Sequence, residues 1–434
     1  MESFGSYEFP SAVISHRNPT ADKHHPPMPA KPLRFLPILV LAVALVAVWN
    51  NRREVSEPKL EELRLPSPSK KLSLLAEPVD WSELDAFQGS VERAEFERLL
   101  DTHFSTAGGW RRWIRIEADH AVIETSGGIH QLRFREQAAA GPSDVRSLKD
   151  LHIAIDPGHI GGEWAKIEER WLKVGDSQPV CEGDMTLQVA RLLKPRLEAL
   201  GARVSLVRDK PEPVTPLRPE SLTSLASTDA DPRKFAERLF YRTAEIRARA
   251  ALVNQSIKPD LVLCLHFNAE AWGDPENPQL IDRHHFHVLV NGAYSPEELM
   301  LEDQRIAMLK RLLSGFHREE IRIASTVARV FAERSGLPPY QYPTGSNTVM
   351  PIPDEPFLWA RNLLANRLYD CPVIFMEPYV MNSSLDHARM IAGDYQGLRE
   401  IHGVLRRSIY QEYADAVSEG LWRHFSTRDS IRKK

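Results

Sequence analysis

A chain of 434 residues exceeds what one hydrophobic core usually organises, so it is expected to hold one large domain with smaller attachments. Acidic and basic residues are mixed along its length at a net charge of −4, which excludes the basic footprint of a nucleic-acid-binding protein. Three cysteines, Cys181, Cys264 and Cys371, exclude a disulfide framework and a cysteine-based zinc site.

Residues 1–33 carry several prolines and no hydrophobic period, the composition of a disordered tail. Phe35 to Trp49 then runs without a charge, and residues 34–50 are read as a transmembrane anchor. The run is shorter than the roughly 20 residues that span a bilayer, so a cleaved signal remains the alternative. The anchor is preferred because Trp49 suits the interface and the small-x-small tripeptide Ala42-Val43-Ala44 lies inside the run rather than after it. Lys31 and Arg34 on one side balance Arg52 and Arg53 on the other, so flanking charge gives no orientation. Residues 51–76 form a Pro/Ser/Lys-rich linker.

Residues 77–136 read as a small α+β module. An amphipathic helix is predicted from Arg93 to His103, followed by alternating runs at Trp113 to Ile116 and Ala121 to Ile123 and a turn at Gly127-Gly128. No chemistry is visible in it, and a spacer or docking surface is expected. Beyond an Ala/Gly/Pro linker at 138–143, strands alternate with helices over residues 148–425, the pattern of an α/β domain whose mostly parallel sheet is flanked by helices. Strands are predicted at Leu151 to Asp156, Arg203 to Val207, Leu261 to His266, Phe286 to Val290 and Val373 to Met376. Val189, Leu192, Leu193, Leu197 and Leu200 recur at helical spacing and stop at Gly201. A long terminal helix is predicted from Gly397 onward, with Leu398, Ile401, Leu405 and Ile409 on one face.

In open α/β sheets ligands gather at the carboxyl ends of the strands. His159 follows the first strand in Asp156-Pro157-Gly158-His159-Ile160-Gly161-Gly162, Glu182 lies immediately before the first long helix, His266 ends one apolar strand and Glu377 another. Two histidines and a carboxylate with an open position make a hydrolytic zinc site, and a further carboxylate nearby serves as general base. Each residue alone also has an ordinary reading: His159 closes a turn, Glu182 caps a helix, and His266 is a satisfied strand-end histidine. Spacing does not place them together.

The order of motifs narrows the choice. Asp-Pro-Gly-His-x-Gly-Gly, a glutamate before a helix, and Gly201, Ala202, Val204, Leu206 and Arg208 in a strand resemble the zinc-dependent N-acetylmuramoyl-L-alanine amidases. Arg249 and Asn254 ahead of Pro259-Asp260-Leu261-Val262-Leu263-Cys264-Leu265-His266-Phe267-Asn268-Ala269 continue the likeness, as does Pro372 to Glu377 with Asn382 five residues on. Over residues 150–400 the resemblance implies that His159, Glu182 and His266 bind Zn2+ and that Glu377 is the acid/base. The substrate bond it implies joins N-acetylmuramic acid to L-alanine in peptidoglycan.

Departures accompany the likeness. Ile160 enters the family's usual Gly-His-Gly-Gly, Cys264 replaces a serine, and a Pro/Ser-rich segment from Pro211 to Asp231 lengthens the path to His266. His284-His285-Phe286-His287 stands where the family often has a glutamate motif, and these histidines are predicted to be solvated strand-start residues. The loop Tyr340 to Trp359 is predicted to flank the cleft. Two alternatives stay open: a zinc peptidase acting on the stem peptide, and an inactive amidase-like module that binds the wall. Expected partners are peptidoglycan, the inner membrane through the anchor, and an envelope protein regulator, with no nucleic acid. Hydrolysis of the wall requires a single-pass inner-membrane protein with its catalytic domain in the periplasm.

Overall fold

The computed structural model describes residues 71–136, 146–226 and 229–432. The tail at 1–33, the anchor at 34–50, most of the linker at 51–76 and the linker at 138–143 lie outside the described residues. Among the described residues no helix is long and apolar enough to cross a membrane.

The first elements are the helix Arg93–Leu99, which runs on into a π turn at Leu100–Phe104, and an antiparallel sheet of β1 (Ile114–Ile116), β2 (His120–Thr125) and β3 (Gly128–Arg133). Three short strands and one helix bury too little apolar surface to stand alone. Phe96, Phe104, Ile123 and Leu132 therefore pack against Leu309, Leu312 and Leu313 of the helix Glu302–Ser314, so residues from far along the chain complete this core.

His103 joins the two parts. Its ring lies 4.7 Å from Phe104 and 5.5 Å from His317, and its Nε2 sits 2.9 Å from the Asn291 carbonyl. Burial lowers His103 to about 4, and burial with the neighbouring His103 lowers His317 to about 3. The unfolded chain protonates both near 6.5, so below that pH it binds more protons than the folded protein does. Stability is thus fully present above pH 6.5 and is expected to fall by about 1.4 kcal/mol per pH unit per histidine below it. Urea midpoints at pH 7.5 and 5 check this, and a His103→Gln/His317→Gln double variant should flatten the difference.

The main sheet holds seven strands. In chain order the next strands are β4 (His152–Pro157), the short hairpin β5 (Trp171–Leu172) and β6 (Val180–Cys181), β7 (Arg203–Leu206), β8 (Leu261–Leu265), β9 (Phe286–Val290), β10 (Val349–Pro351), β11 (Leu358–Arg361) and β12 (Val373–Pro378). The sheet order is β10-β11-β9-β12-β8-β4-β7. Pairing is parallel from β12 through β8 and β4 to β7 and between β11 and β9, and antiparallel between β9 and β12 and between β10 and β11. The sheet is therefore mixed, with four of its six pairings parallel, as the expectation of a mostly parallel sheet requires. All five predicted strands are present. β10 and β11 escape prediction because each is only three or four residues long and prolines break the stretch between them.

Alternation along the strands splits the core into two layers. Ile153, Ile155, Leu263, Leu265 and Ile374 face the helices Glu182–Ala199, Phe316–Ser335 and Ile409–Arg432, whose Val189, Leu193, Val327, Phe331 and Val417 cover them. Ala154, Val262, Cys264 and Phe375 face the helical path at 245–257 and the helix Leu364–Leu368. Both faces are covered, which is why the central strands read as continuous apolar runs. The terminal helix does not start at Gly397. β13 (Arg399–Ile401) and β14 (Val404–Arg406) form a hairpin first, because His402 and Gly403 both take positive φ, 50° and 73°, and make a two-residue turn. Leu398 and Leu405 are exposed there, and the helix begins at Ile409.

Candidate active site

The end of β4 is held from beneath by Arg249. Its guanidinium donates to Asp156 at 2.9 Å, to the Pro157 carbonyl at 2.8 Å, to the His159 carbonyl at 2.7 Å and to Glu245 at 2.7 Å. Burial opposes this charge, but Asp156 and Glu245 outweigh it and hold Arg249 protonated. The Tyr369 hydroxyl donates to the other Asp156 oxygen at 2.5 Å. Asn254 bridges the Leu368 carbonyl and the Asp370 amide. Arg249 thus supports the turn that carries His159, and Asn254 ties down the segment on either side of Tyr369.

Two glycines allow the turn to close. A Cβ on Gly158 would stand 2.2 Å from Cε1 of the His266 ring, and one on Gly183 would stand 2.3 Å from the Gly161 nitrogen. The loop after β4 consequently lies directly on His266 and on the first turn of the helix Glu182–Ala199. Glu182 is the first residue of that helix, not the residue before it, and Cys181 is its N-cap.

The carboxylate of Glu182, 2% exposed, stands between the two imidazoles. Oε2 lies 3.1 Å from His159 Nε2, and Oε1 lies 3.0 Å from His266 Nδ1 and accepts the Phe267 amide at 3.1 Å. One ligand atom from each of His159, Glu182 and His266 lies within 4.8 Å of the others. Phe375 fixes the His266 plane by stacking on it at 4.3 Å and 13°. Burial disfavours charge on His159, but Glu182 and Glu168 overcome it and push that group up to about 9. Burial also penalises the Glu182 carboxylate, and His159 and His266 together hold it well below the usual range. A pocket whose negative charge draws protons onto histidine draws a cation by the same field.

Glu168 was not singled out from sequence. It is buried, accepts the Ile160 amide at 2.8 Å and the Gly161 amide at 3.0 Å, and places Oε1 3.5 Å from His159 Nδ1. A carboxylate on the far nitrogen of a ligating histidine fixes its tautomer and raises its basicity. Glu168→Gln is expected to weaken metal affinity by about 10- to 100-fold while the fold persists, as competition with a chromogenic chelator would measure. Arg170 Nε closes the exposed side, 3.1 Å from Glu182 Oε2.

Glu377 lies at the end of β12 and is partly buried. Burial and the Glu182 charge raise its carboxyl above the usual glutamate value, against the pull of His266, His159 and Arg361. A carboxylate of raised basicity, within the field of two imidazoles and a second carboxylate, is suited to take and return a proton. The histidines ahead of β9 differ from expectation. His285 and His287 are buried, not solvated, with His285 on Glu270 at 3.0 Å and His287 on the Tyr342 hydroxyl at 3.1 Å. Neither belongs to the His159, Glu182, His266 group.

A family model described as N-acetylmuramoyl-L-alanine amidase matches residues 153–398, more than half of the chain. The chain belongs to that family. Solved structures similar to this amidase include the N-acetylmuramyl-L-alanine amidase Ami1 from Mycobacterium smegmatis, with 17% identity over 65% of this chain and 100% of that one and a TM-score of 0.36. An N-acetylmuramoyl-L-alanine amidase from Clostridium difficile 630 has 14% identity over 64% and 97% of the two chains, with a TM-score of 0.37. AmiC2 of Nostoc punctiforme has 14% identity over 64% and 97%, with a TM-score of 0.34. No curated protein matches the chain.

The amidase match spans all four of His159, Glu182, His266 and Glu377. Asn382, which the motif also includes, is fully buried and accepts the Glu270 amide at 3.0 Å, so it pins the loop after His266 to the end of β12.

Proposed function

We propose that this amidase is a zinc enzyme that hydrolyses the amide between N-acetylmuramic acid and L-alanine in peptidoglycan. The observation that carries the reading is the His159, Glu182, His266 group gathered at the strand ends in the field of Glu377. The donor set fits the ion. Zinc takes imidazole nitrogens and carboxylate oxygens, and one such atom from each of the three residues lies within 4.8 Å of the others. Bound by these three residues, zinc supplies a Lewis acid for the carbonyl oxygen and acidifies a water in its open position.

The chain's own groups do the rest. Glu377 takes a proton from the attacking water and returns it to the departing alanine nitrogen, so that the amine leaves neutral. Glu168 and the Phe267 amide keep His159 and Glu182 in the orientation that hydrolysis needs. Arg249 holds the turn after β4 in place throughout.

Residues 34–50 serve as an uncleaved anchor in the inner membrane, with the catalytic domain in the periplasm where its substrate lies. The zinc reading is tested by elemental analysis of the purified chain. One equivalent of zinc, lost from Glu182→Ala and after chelation with restoration of activity on zinc return, supports it. Full activity in metal-free protein sinks it. A C-terminal reporter that is active only in the cytoplasm would overturn the orientation.

A further inference from the structure

Strand alternation places a second set of polar groups on the face of the sheet that carries Glu377. Phe375 and Glu377 on β12 pair with Leu289 and His287 on β9, and Leu289 pairs with Trp359 on β11. Side chains two residues apart share a face, so Glu377, His287, Trp359 and Arg361 all stand on one side of the sheet. Because β9 runs antiparallel to β12, its beginning, not its end, lies at the catalytic rim, and Arg361, at the end of the parallel β11, approaches that rim through its side chain.

From His287 a polar path leads to Arg361. The Tyr342 hydroxyl lies 3.1 Å from His287 Nε2 and accepts a hydrogen bond from Arg361 Nη1 at 3.3 Å. A guanidinium only donates, so the phenol's own hydrogen is left for His287 Nε2, whose imidazole burial holds neutral, at about 3. Trp359 packs edge-on against the Tyr342 ring at 5.0 Å and fixes it.

Among the described residues no carboxylate lies within ion-pair distance of Arg361. Arg311 and Arg389, by contrast, each hold one, Glu320 and Glu412, and Arg249 holds both Asp156 and Glu245. A half-buried guanidinium with one long bond to a phenol keeps its other N–H donors open to solvent, where an anionic ligand can take them in charge-assisted hydrogen bonds. Its field reaches the catalytic group, since Arg361 pulls the Glu377 carboxyl down.

The substrate carries a suitable anion. In the stem peptide L-alanine is followed by a D-glutamyl residue linked onward through its side chain, which leaves the α-carboxylate free in some walls and amidated in others. That group sits on the leaving side, a few bonds from the scissile nitrogen. Resting on the amidase reading, we propose that Arg361 binds the free α-carboxylate of the second stem residue and makes the enzyme selective for non-amidated stems. The planar fork matches a carboxylate in two parallel bonds, which an amide cannot accept in the same way.

The test uses two N-acetylmuramoyl dipeptides that differ only in the second residue, D-glutamate or D-isoglutamine, with the full metal-loaded chain. Wild type is expected to favour the D-glutamate form by roughly 10- to 100-fold in kcat/KM, mostly through KM, as for a charge-assisted hydrogen bond. Arg361→Gln should bring that ratio toward one, and Arg361→Lys should restore part of it. Equal rates on both substrates in wild type overturn the proposal without needing any variant. An Arg361→Gln loss that is equal on both substrates, with a shifted pH profile, also overturns it and assigns Arg361 to the ionisation of Glu377. Release of L-alanyl peptide from neither substrate would instead remove the amidase reading beneath it.

Discussion

Glu377→Gln is expected to lower kcat by about 10²- to 10⁴-fold on peptidoglycan while zinc content and KM stay near wild type. The amide keeps the shape of the side chain and removes only its ability to accept a proton. Glu377 lies outside the His159, Glu182, His266 group, so the loss should not pass through the metal. Burial and the Glu182 charge together favour the protonated form, which makes this carboxylate a stronger base than an exposed one. Steady-state kinetics beside elemental analysis checks the result. A variant that loses its metal along with its rate would show that Glu377 is a ligand instead.

The second large effect comes from a methyl group. Gly158→Ala places a carbon 2.2 Å from the His266 ring, and the ring cannot retreat because Phe375 stacks on its face at 4.3 Å. Overpacking of this kind costs about 1–3 kcal/mol, and displacement of a ligand by an ångström costs about 100-fold in rate. Zinc content, melting temperature and activity are all expected to fall together. Gly127→Ala is the control, since the new carbon would meet nothing closer than the Thr125 hydroxyl at 3.9 Å. A fully active, zinc-replete Gly158→Ala protein would show that His266 does not need the position it occupies here.

The parts of this site that were legible in the sequence share one property. His159, Glu182, His266 and Glu377 each stand at the end of a strongly apolar strand or the start of a long helix, where a single topological rule ranks polar residues. The parts that were not legible depend on strand direction and loop path. His287 reaches the rim only because β9 runs against β12, and nothing in Phe286 to Val290 encodes that direction. Arg361 closes a four-residue strand hidden behind prolines. Glu168 takes its place from the Ile160 and Gly161 amides, a contact between a loop and itself that periodicity does not register.

The fold shows the same division. The strands predicted from apolar runs are all present, because burial on both faces leaves a strong signal. Leu398, Ile401, Leu405 and Ile409 have helical spacing, yet His402-Gly403 turns the chain back and the spacing loses to turn chemistry. The module at 77–136 read as separate in sequence, but its apolar face is completed by the helix Glu302–Ser314, a partner nearly two hundred residues away whose role no local pattern announces.

The central claim is the bond that is cut. Purified peptidoglycan digested by the full chain, with and without a chelator and beside Glu377→Gln, is resolved by mass analysis of the soluble products. The account predicts stem peptides that begin with a free L-alanine amine, absent on chelation and in the variant. Fragments cut inside the stem peptide, or no release from a metal-loaded chain, would contradict it.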